Sequence, residues 1–261
     1  MAVEQWRRQH GAELREWLEA WGEFEALNAL GNYAHENRGH TYPELFEGSA
    51  CFEAAGLGHP LLEDQVCVRN DVELGAANRF YMISGSNMSG KSTLMRAIGL
   101  NAVLAFAGAP VRARRLRVSR FSICTSIAVV DSLAGGKSKF LEEVERLRQT
   151  IERAGRAPVL FLVDEIFSGT NSRDRRAAAE AVVRTLVGSG AIGALSTHDM
   201  SLTEIAEAAG LGGKNVHMGS RDGGGPMDFD YLLKAGVTRE TNALAIARMA
   251  GVVVLKEAKA D

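Results

Sequence analysis

Apolar positions along this chain keep a helical period at the start and give way to a strand-and-helix alternation afterwards. Leu14, Trp17, Leu18, Trp21, Phe24, Leu27, Leu30 and Tyr33 recur three or four residues apart, which predicts one face of a long helix, or of two broken at Gly22. A stripe of that size must pack on something. It covers too few heptads for a coiled coil, so it is expected to lie against the rest of its own chain, with a dimer seam as the alternative. Residues 37–58, punctuated by Gly39, Pro43, Gly48, Gly56 and Gly58, read as a loop-rich connector.

Beyond it the pattern predicts strands over 80–84, 121–130, 159–163, 192–196 and 215–218. Helices are predicted over 91–107, 140–154, 173–187, 201–209 and 240–250. Such alternation is the mark of an α/β domain with a largely parallel central sheet flanked by helices, here with an N-terminal helical segment in front. Repeats and low-complexity tracts are absent apart from the short turn Gly223-Gly224-Gly225-Pro226.

Composition narrows the class without naming a chemistry. With 261 residues, 46% of them hydrophobic, the chain can bury one large core and a small second element. Thirty basic against 32 acidic residues leave a net charge of −2, so no global field draws it to nucleic acid, and any such contact must be local or lie outside this chain. Arg112, Arg114, Arg115, Arg117 and Arg120 form the one arginine-rich stretch. With no aromatic residues interleaved for base stacking it reads as a solvated strand and turn, with DNA phosphates as the alternative partner. The widely spaced Cys51, Cys67 and Cys124 suggest neither a zinc site nor a disulfide framework, which fits a reducing cytoplasm. No run approaches the roughly 20 apolar residues of a membrane helix.

Chemistry enters with Gly85-Ser86-Asn87-Met88-Ser89-Gly90-Lys91-Ser92, an ungapped G-x-x-x-x-G-K-[ST] after the strand over 80–84. Two glycines let the backbone curl into a nest of N–H donors, and residues from Ser92 and Thr93 onward start a helix whose positive end faces phosphate. Lys91 is expected to reach the β- and γ-phosphates of a nucleoside triphosphate and Ser92 to offer its hydroxyl to Mg²⁺. A second element is the apolar run over 159–163 that ends in Asp164 and Glu165, the reading of a strand buried on both faces. Asp164 is expected beside Ser92 in the Mg²⁺ shell, and Glu165 is placed to polarise the attacking water. His198, at the end of the next apolar strand, is expected to sense the γ-phosphate or orient that water.

These residues, in this order, carry a resemblance. Over about residues 58–255 the chain resembles the C-terminal ATPase domain of the MutS family of DNA mismatch repair proteins, a branch of the ABC-type P-loop NTPases. Gly58-His59-Pro60 looks like the family's R-H-P with Gly in place of Arg, and Asn70-Asp71 like its N-D. Ser86-Asn87-Met88-Ser89-Gly90-Lys91-Ser92-Thr93 looks like its phosphate loop, the N-M-S stretch being far more specific than the general motif. Asp164-Glu165-Ile166 with Gly169-Thr170-Asn171-Ser172 resembles D-E-x-x-x-G-T-S/N-x, and Thr197-His198 matches T-H. Gly236 and the run from Asn242 to Gly251 resemble the element that closes the domain and supports dimers.

The resemblance implies an ATPase that uses ATP and Mg²⁺ and dimerises head to tail. Ser138, in Ser138-Lys139-Phe140-Leu141-Glu142-Glu143, would open a helix presented to the γ-phosphate held by the partner subunit, so each site is composite. Ser138, Phe140 and Glu143 keep the family's frame, whereas Lys139 departs from it and adds a cation that faces either phosphate or solvent. Tyr231 falls where some relatives set a ring against the adenine. The expected division is a helical segment and connector over 1–57, similar to the stub of a lever, and the ATPase domain over 58–261. The expected role is to change the conformation of a DNA-processing protein, DNA contacts coming from parts outside this chain. Two alternatives stay open. Leu133-Ala134-Gly135-Gly136-Lys137 faintly echoes the L-S-G-G-Q of transporter or chromosome-maintenance ATPases, although there is no room for a transporter's helical subdomain. The other is a nucleotide-dependent dimerisation module in which hydrolysis is incidental.

Overall fold

The computed structural model describes residues 2–127, 139–168, 171–221, 223–225 and 227–238. Two helices, α1 (Ala2–His10) and α2 (Leu14–Glu36), precede three strands, β1 (Glu44–Phe46), β2 (Phe52–Leu57) and β3 (Asn70–Leu74). The chain then runs through β4 (Phe80–Ser84), α3 (Lys91–Phe106), β5 (Arg115–Ser119) and β6 (Ser122–Ser126). Next come α4 (Lys139–Ala154), β7 (Val159–Val163), α5 (Ser172–Gly188) and β8 (Ile192–Thr197). A 3-10 turn (Met200–Thr203) leads into α6 (Glu204–Glu207), followed by β9 (Gly213–His217) and β10 (Lys234–Ala235).

The larger sheet has the order β10-β9-β4-β8-β7-β6 and is parallel except for β10. Every residue of β4, β7 and β8 is buried, because side chains on alternate faces enter two different cores. Tyr81, Ile83, Leu160 and Leu162 pack with Leu94, Met95 and Ile98 of α3, while Phe80, Met82, Phe161 and Val163 pack with Leu147 of α4 and Val183 and Leu186 of α5. Double burial is what makes these strands unbroken apolar runs. The parallel arrangement also brings the carboxyl ends of β4, β8 and β7 side by side, the edge at which such sheets bind ligands.

Close packing is tightest at Gly193 in β8, where a Cβ would sit 2.1 Å from the Phe161 carbonyl oxygen and 2.5 Å from its ring. Gly193→Ala should therefore destabilise the chain by about 2 kcal/mol or more, read as a lower denaturant midpoint at unchanged slope.

The smaller sheet, in the order β1-β5-β2-β3, corrects the reading of 37–58 as a connector. β2 pairs antiparallel with both β3 and β5, so this sheet takes strands from both sides of the division expected at 57/58. Its strands alternate inward Phe52, Ala54, Val72, Leu116 and Val118 with Glu53, Glu73, Arg115 and Arg117, and a β-bulge shifts the register between Ala54 and Leu57. Gly56, in the left-handed region at φ 61°, sits in that bulge, so the glycine that looked like a loop signal serves a strand irregularity. Of the arginine-rich stretch, Arg114, Arg115 and Arg117 pair with Asp71, Glu44 and Glu53, whereas Arg112 is 3% exposed and reaches the exposed Asp64 carboxylate from a buried position.

The N-terminal stripe also departs from expectation. α2 runs unbroken through Gly22, and neither α1 nor α2 has a buried residue among those described. Trp6 of α1 meets Trp17 of α2 at 6.3 Å, but Trp21, Phe24 and Leu27 stay more than 60% exposed and do not pack on the α/β body. The helix predicted over 201–209 is instead a 3-10 turn and a single turn of α6. Asp199 caps Ser201 N–H at 3.0 Å and Thr203 Oγ1 bonds the Met200 carbonyl at 2.7 Å, so side chains compete for the backbone groups a longer helix needs. The helix predicted over 240–250 and the end of the strand over 121–130 lie outside the described residues.

Candidate nucleotide site

The loop from β4 to α3 is shaped by glycines for which no other residue fits. A Cβ at Gly85 would lie 2.2 Å from the Met218 carbonyl oxygen, and Gly90, at φ 102°, would meet Met218 Cε and the Tyr231 ring at 3.1 Å. Gly90 stands at the N-cap of α3 with no side-chain cap, which leaves the first-turn N–H groups of that helix directed at the loop's interior. Ser86 Oγ and Ser89 Oγ are buried there without a partner among the described residues. Unsatisfied hydroxyls beside uncapped amides suit the oxygens of a phosphate chain. Asn87 and Met88 are exposed at the loop's tip. Lys91 is buried, and its Nζ donates to the carbonyls of Gly85 (2.9 Å) and Ser86 (2.8 Å). Burial lowers its pKa, while Asp164 and Glu165 nearby pull it back up.

The carboxylates come from the end of β7. Ser92 Oγ donates to Asp164 Oδ2 at 2.6 Å, so the two groups expected around Mg²⁺ are already in contact. Asp164 Oδ1 accepts from Ser196 Oγ, and that hydroxyl in turn accepts from the Glu165 N–H at 2.9 Å. Ser196 thereby fixes both acids from the neighbouring strand β8. His198 Nε2 donates to Glu165 Oε1 at 2.9 Å. Lys91 Nζ lies 3.4 Å from the same nitrogen, which cannot accept a proton while it donates one, so that approach is proximity and not a second hydrogen bond. Glu165 Oε2 has no hydrogen-bond partner among the described residues.

Backbone strain concentrates here. The non-glycine residues described with positive φ are Met88 (67°), Glu165 (56°), Phe167 (54°) and Tyr231 (56°), all in or beside the site. Each conformation costs on the order of 1–2 kcal/mol and persists only because surrounding contacts hold it. Phe167 shows how. Its N–H donates to the buried Glu143 carboxylate of α4 at 2.6 Å, its carbonyl accepts from Arg175 Nε of α5 at 3.0 Å, and its ring meets Phe140 at 6.0 Å.

Beside the phosphate loop opens a mostly apolar cleft of about 380 Å³. Leu62, Val66 and Val68 form one wall, Gly90, Thr93 and Ala97 the facing wall, and Met218 and Tyr231 the end. Asn70 holds Tyr231 in place by donating to its carbonyl at 3.0 Å and accepting from Leu233 N–H at 2.7 Å. His59 also lines the cleft, its pKa lowered by burial and by Arg96 and Arg112.

Gly85 to Thr93, Asp164, Glu165 and His198 thus come together, and Tyr231 flanks Gly90. Ser138, Gly169 and Thr170 lie outside the described residues. Sequence reading assigned no part in the site to Ser196 or Arg175, and it placed Glu143 only in the frame of the Ser138 loop. Ser196 carried a usable signal, a hydroxyl at the buried end of the strand that ends in Thr197-His198, whereas Arg175 carried none.

Among the described residues no helix is long and apolar enough to cross a membrane, and all three cysteines are free. A protein-family profile described as MutS domain V matches residues 81–260. The chain is 34% identical over 251 residues to the DNA mismatch repair protein MutS of Methanosarcina mazei, an alignment covering 93% of this chain and 27% of that protein. It is 34% identical over 232 residues to DNA mismatch repair protein MutS 2 of Halobacterium salinarum, covering 87% of this chain and 26% of that one. With MutS of Sorangium cellulosum the identity is 34% over 243 residues, covering 90% and 26%. The chain therefore spans about a quarter of the length of the curated relatives it matches. With the profile running from β4 through the glycine loop, the β7 carboxylates and Tyr231, and these relatives aligning over most of the sequence, the chain belongs to the MutS family.

Proposed function

We propose that this chain binds Mg-ATP in the loop between β4 and α3 and hydrolyses it, as an ABC-type ATPase domain that serves a DNA-processing protein. The supporting observation is the convergence of Lys91, Ser92, Asp164, Glu165 and His198 at the carboxyl ends of three adjacent strands. Mg-ATP, when bound, supplies the phosphoryl group under attack and a divalent charge on its oxygens. Lys91 would exchange its two loop carbonyls for phosphate oxygens, and Ser92 and Asp164 would hold the Mg²⁺, which would neutralise charge on the phosphate oxygens. Glu165 polarises the attacking water, held in position by His198 on Oε1 and by Ser196 on its N–H. The apolar cleft takes the adenine, with Tyr231 at its end.

Two further features of this reading come from the family. Hydrolysis occurs in a head-to-tail dimer in which Ser138, just ahead of α4, completes the neighbour's site. The nucleotide cycle then alters the conformation of a cytoplasmic protein engaged in mismatch repair or a related DNA process, since the relatives carry that name.

Lys91→Ala tests the phosphate assignment. Loss of a charge-assisted contact to buried phosphate oxygens should weaken ATP binding by about 1.5–3 kcal/mol, or roughly 10- to 150-fold. Isothermal titration with unchanged affinity would remove the loop from the site.

A further inference from the structure

Arg112 is a charged side chain buried far from any reacting atom, and what it touches is the outer wall of the base cleft. That wall is the strap between β2 and β3, residues 58–69, which has only local turns of its own: Leu62 N–H to His59 O at 3.1 Å and Cys67 N–H to Glu63 O at 3.0 Å. Arg112 Nη1 donates to the carbonyls of His59 (3.1 Å) and Leu62, and Nη2 to Asp64 Oδ1 at 2.6 Å. The base of the strap is tied to the opposite wall by Asn101 of α3. Its amide donates to Gly58 O (2.9 Å) and Ala97 O (2.7 Å), and its carbonyl accepts the Arg112 N–H at 2.7 Å. Gly58 N–H closes the circuit on the Arg112 carbonyl at 2.8 Å.

We infer that Arg112 is a positioning residue for the nucleotide base: it sets the gap between the strap and α3, and Gly58 is the vacancy in the chain's own packing that lets its side chain pass. A Cβ at Gly58 would stand 3.2 Å from Arg112 Cδ, 3.3 Å from Cγ and 2.8 Å from Cys67 Sγ. Position 58 is where the related R-H-P element carries an arginine, and this space cannot hold both side chains. Stability alone does not account for a buried guanidinium whose Nε has no acceptor among the described residues and whose only carboxylate partner is 84% exposed. An apolar residue of similar volume would serve a core as well or better. What an arginine adds is a planar fork of donors able to hold two carbonyls of one turn at fixed spacing.

This inference rests on the nucleotide reading above, and its test separates the two. ATP and inorganic tripolyphosphate, each with Mg²⁺, are titrated against the wild-type chain and against Arg112→Met, which keeps length and apolar volume but no donors. ATP affinity should fall about tenfold while tripolyphosphate affinity stays within about twofold, and KM for ATP should rise with kcat nearly unchanged. Equal loss for both ligands, or unchanged ATP affinity in a folded variant, overturns the role. Should Arg112→Met fail to fold, Asp64→Ala carries the test, because that side chain is 84% exposed and its removal cannot open the core. It should lower ATP affinity about threefold and leave tripolyphosphate binding intact, and no ATP-selective loss would sink the inference. A wild-type chain that binds neither ligand contradicts the nucleotide site itself.

Discussion

Glu165→Gln should bind ATP within a few-fold of wild type and turn it over at least about 10²-fold more slowly. Glutamine keeps the side chain's length and can still accept from His198 Nε2 through its amide oxygen, so the local hydrogen bond at 2.9 Å survives. The Glu165 N–H is unaffected and remains on Ser196. What is lost is the second carboxylate oxygen, which has no hydrogen-bond partner among the described residues and which, in the proposed reaction, takes a proton from water. Because binding and turnover respond so differently, the variant also separates a working ATPase from a module that only dimerises on nucleotide. A single-turnover measurement with kcat near wild type would move the base elsewhere. No turnover in the wild-type chain would favour the dimerisation module.

Ser138→Arg should leave ATP binding by a single chain within about twofold and lower turnover by on the order of 10², together with ATP-induced dimerisation. Ser138 directly precedes α4, which begins at Lys139, so the substitution puts a bulky cation where the helix's N-terminal amides are to meet a neighbour's phosphate. Mixing variants gives the sharper result. A chain with only Ser138→Arg paired with a chain with only Lys91→Ala forms a heterodimer in which one site carries both defects and the other neither. Partial recovery of turnover on mixing is expected, with assembly followed by light scattering in a Glu165→Gln background so that cooperative firing does not hide it. If Ser138→Arg alone assembles and hydrolyses normally, the sites are not composite.

The parts of this fold that sequence disclosed are those whose information is local. β4, β7 and β8 announce themselves because burial on both faces demands an unbroken apolar run, and the phosphate loop because its glycines and lysine act within one turn. The smaller sheet stayed hidden for the opposite reason. Its strands bury one face only, contain Gly56 in a bulge and outward Arg115 and Arg117, and β1 pairs with β5 across about 70 residues of chain. Within the site, Asp164, Glu165 and His198 were legible from strand ends. Ser196 acquires its role only through Asp164 and Glu165 on the neighbouring strand, and Arg175 through the Phe167 carbonyl, a contact that no motif or spacing marks. The α2 stripe, expected on the rest of its own chain with a dimer seam as the alternative, is exposed, since a helical period reveals that a face wants a partner and not where the partner is.

Phe167 has its N–H held by α4 and its carbonyl by α5, two residues beyond Glu165 on a stretch of backbone already in an unfavourable conformation. Displacing the start of α4 must either carry Phe167 along or break a buried, charge-assisted bond at 2.6 Å. The two ends are thus thermodynamically linked, and linkage runs both ways with equal strength. Whatever presses on the beginning of α4 therefore bears, through Phe167, on the backbone that carries Glu165, and the setting of that backbone is in turn legible to anything that grips α4.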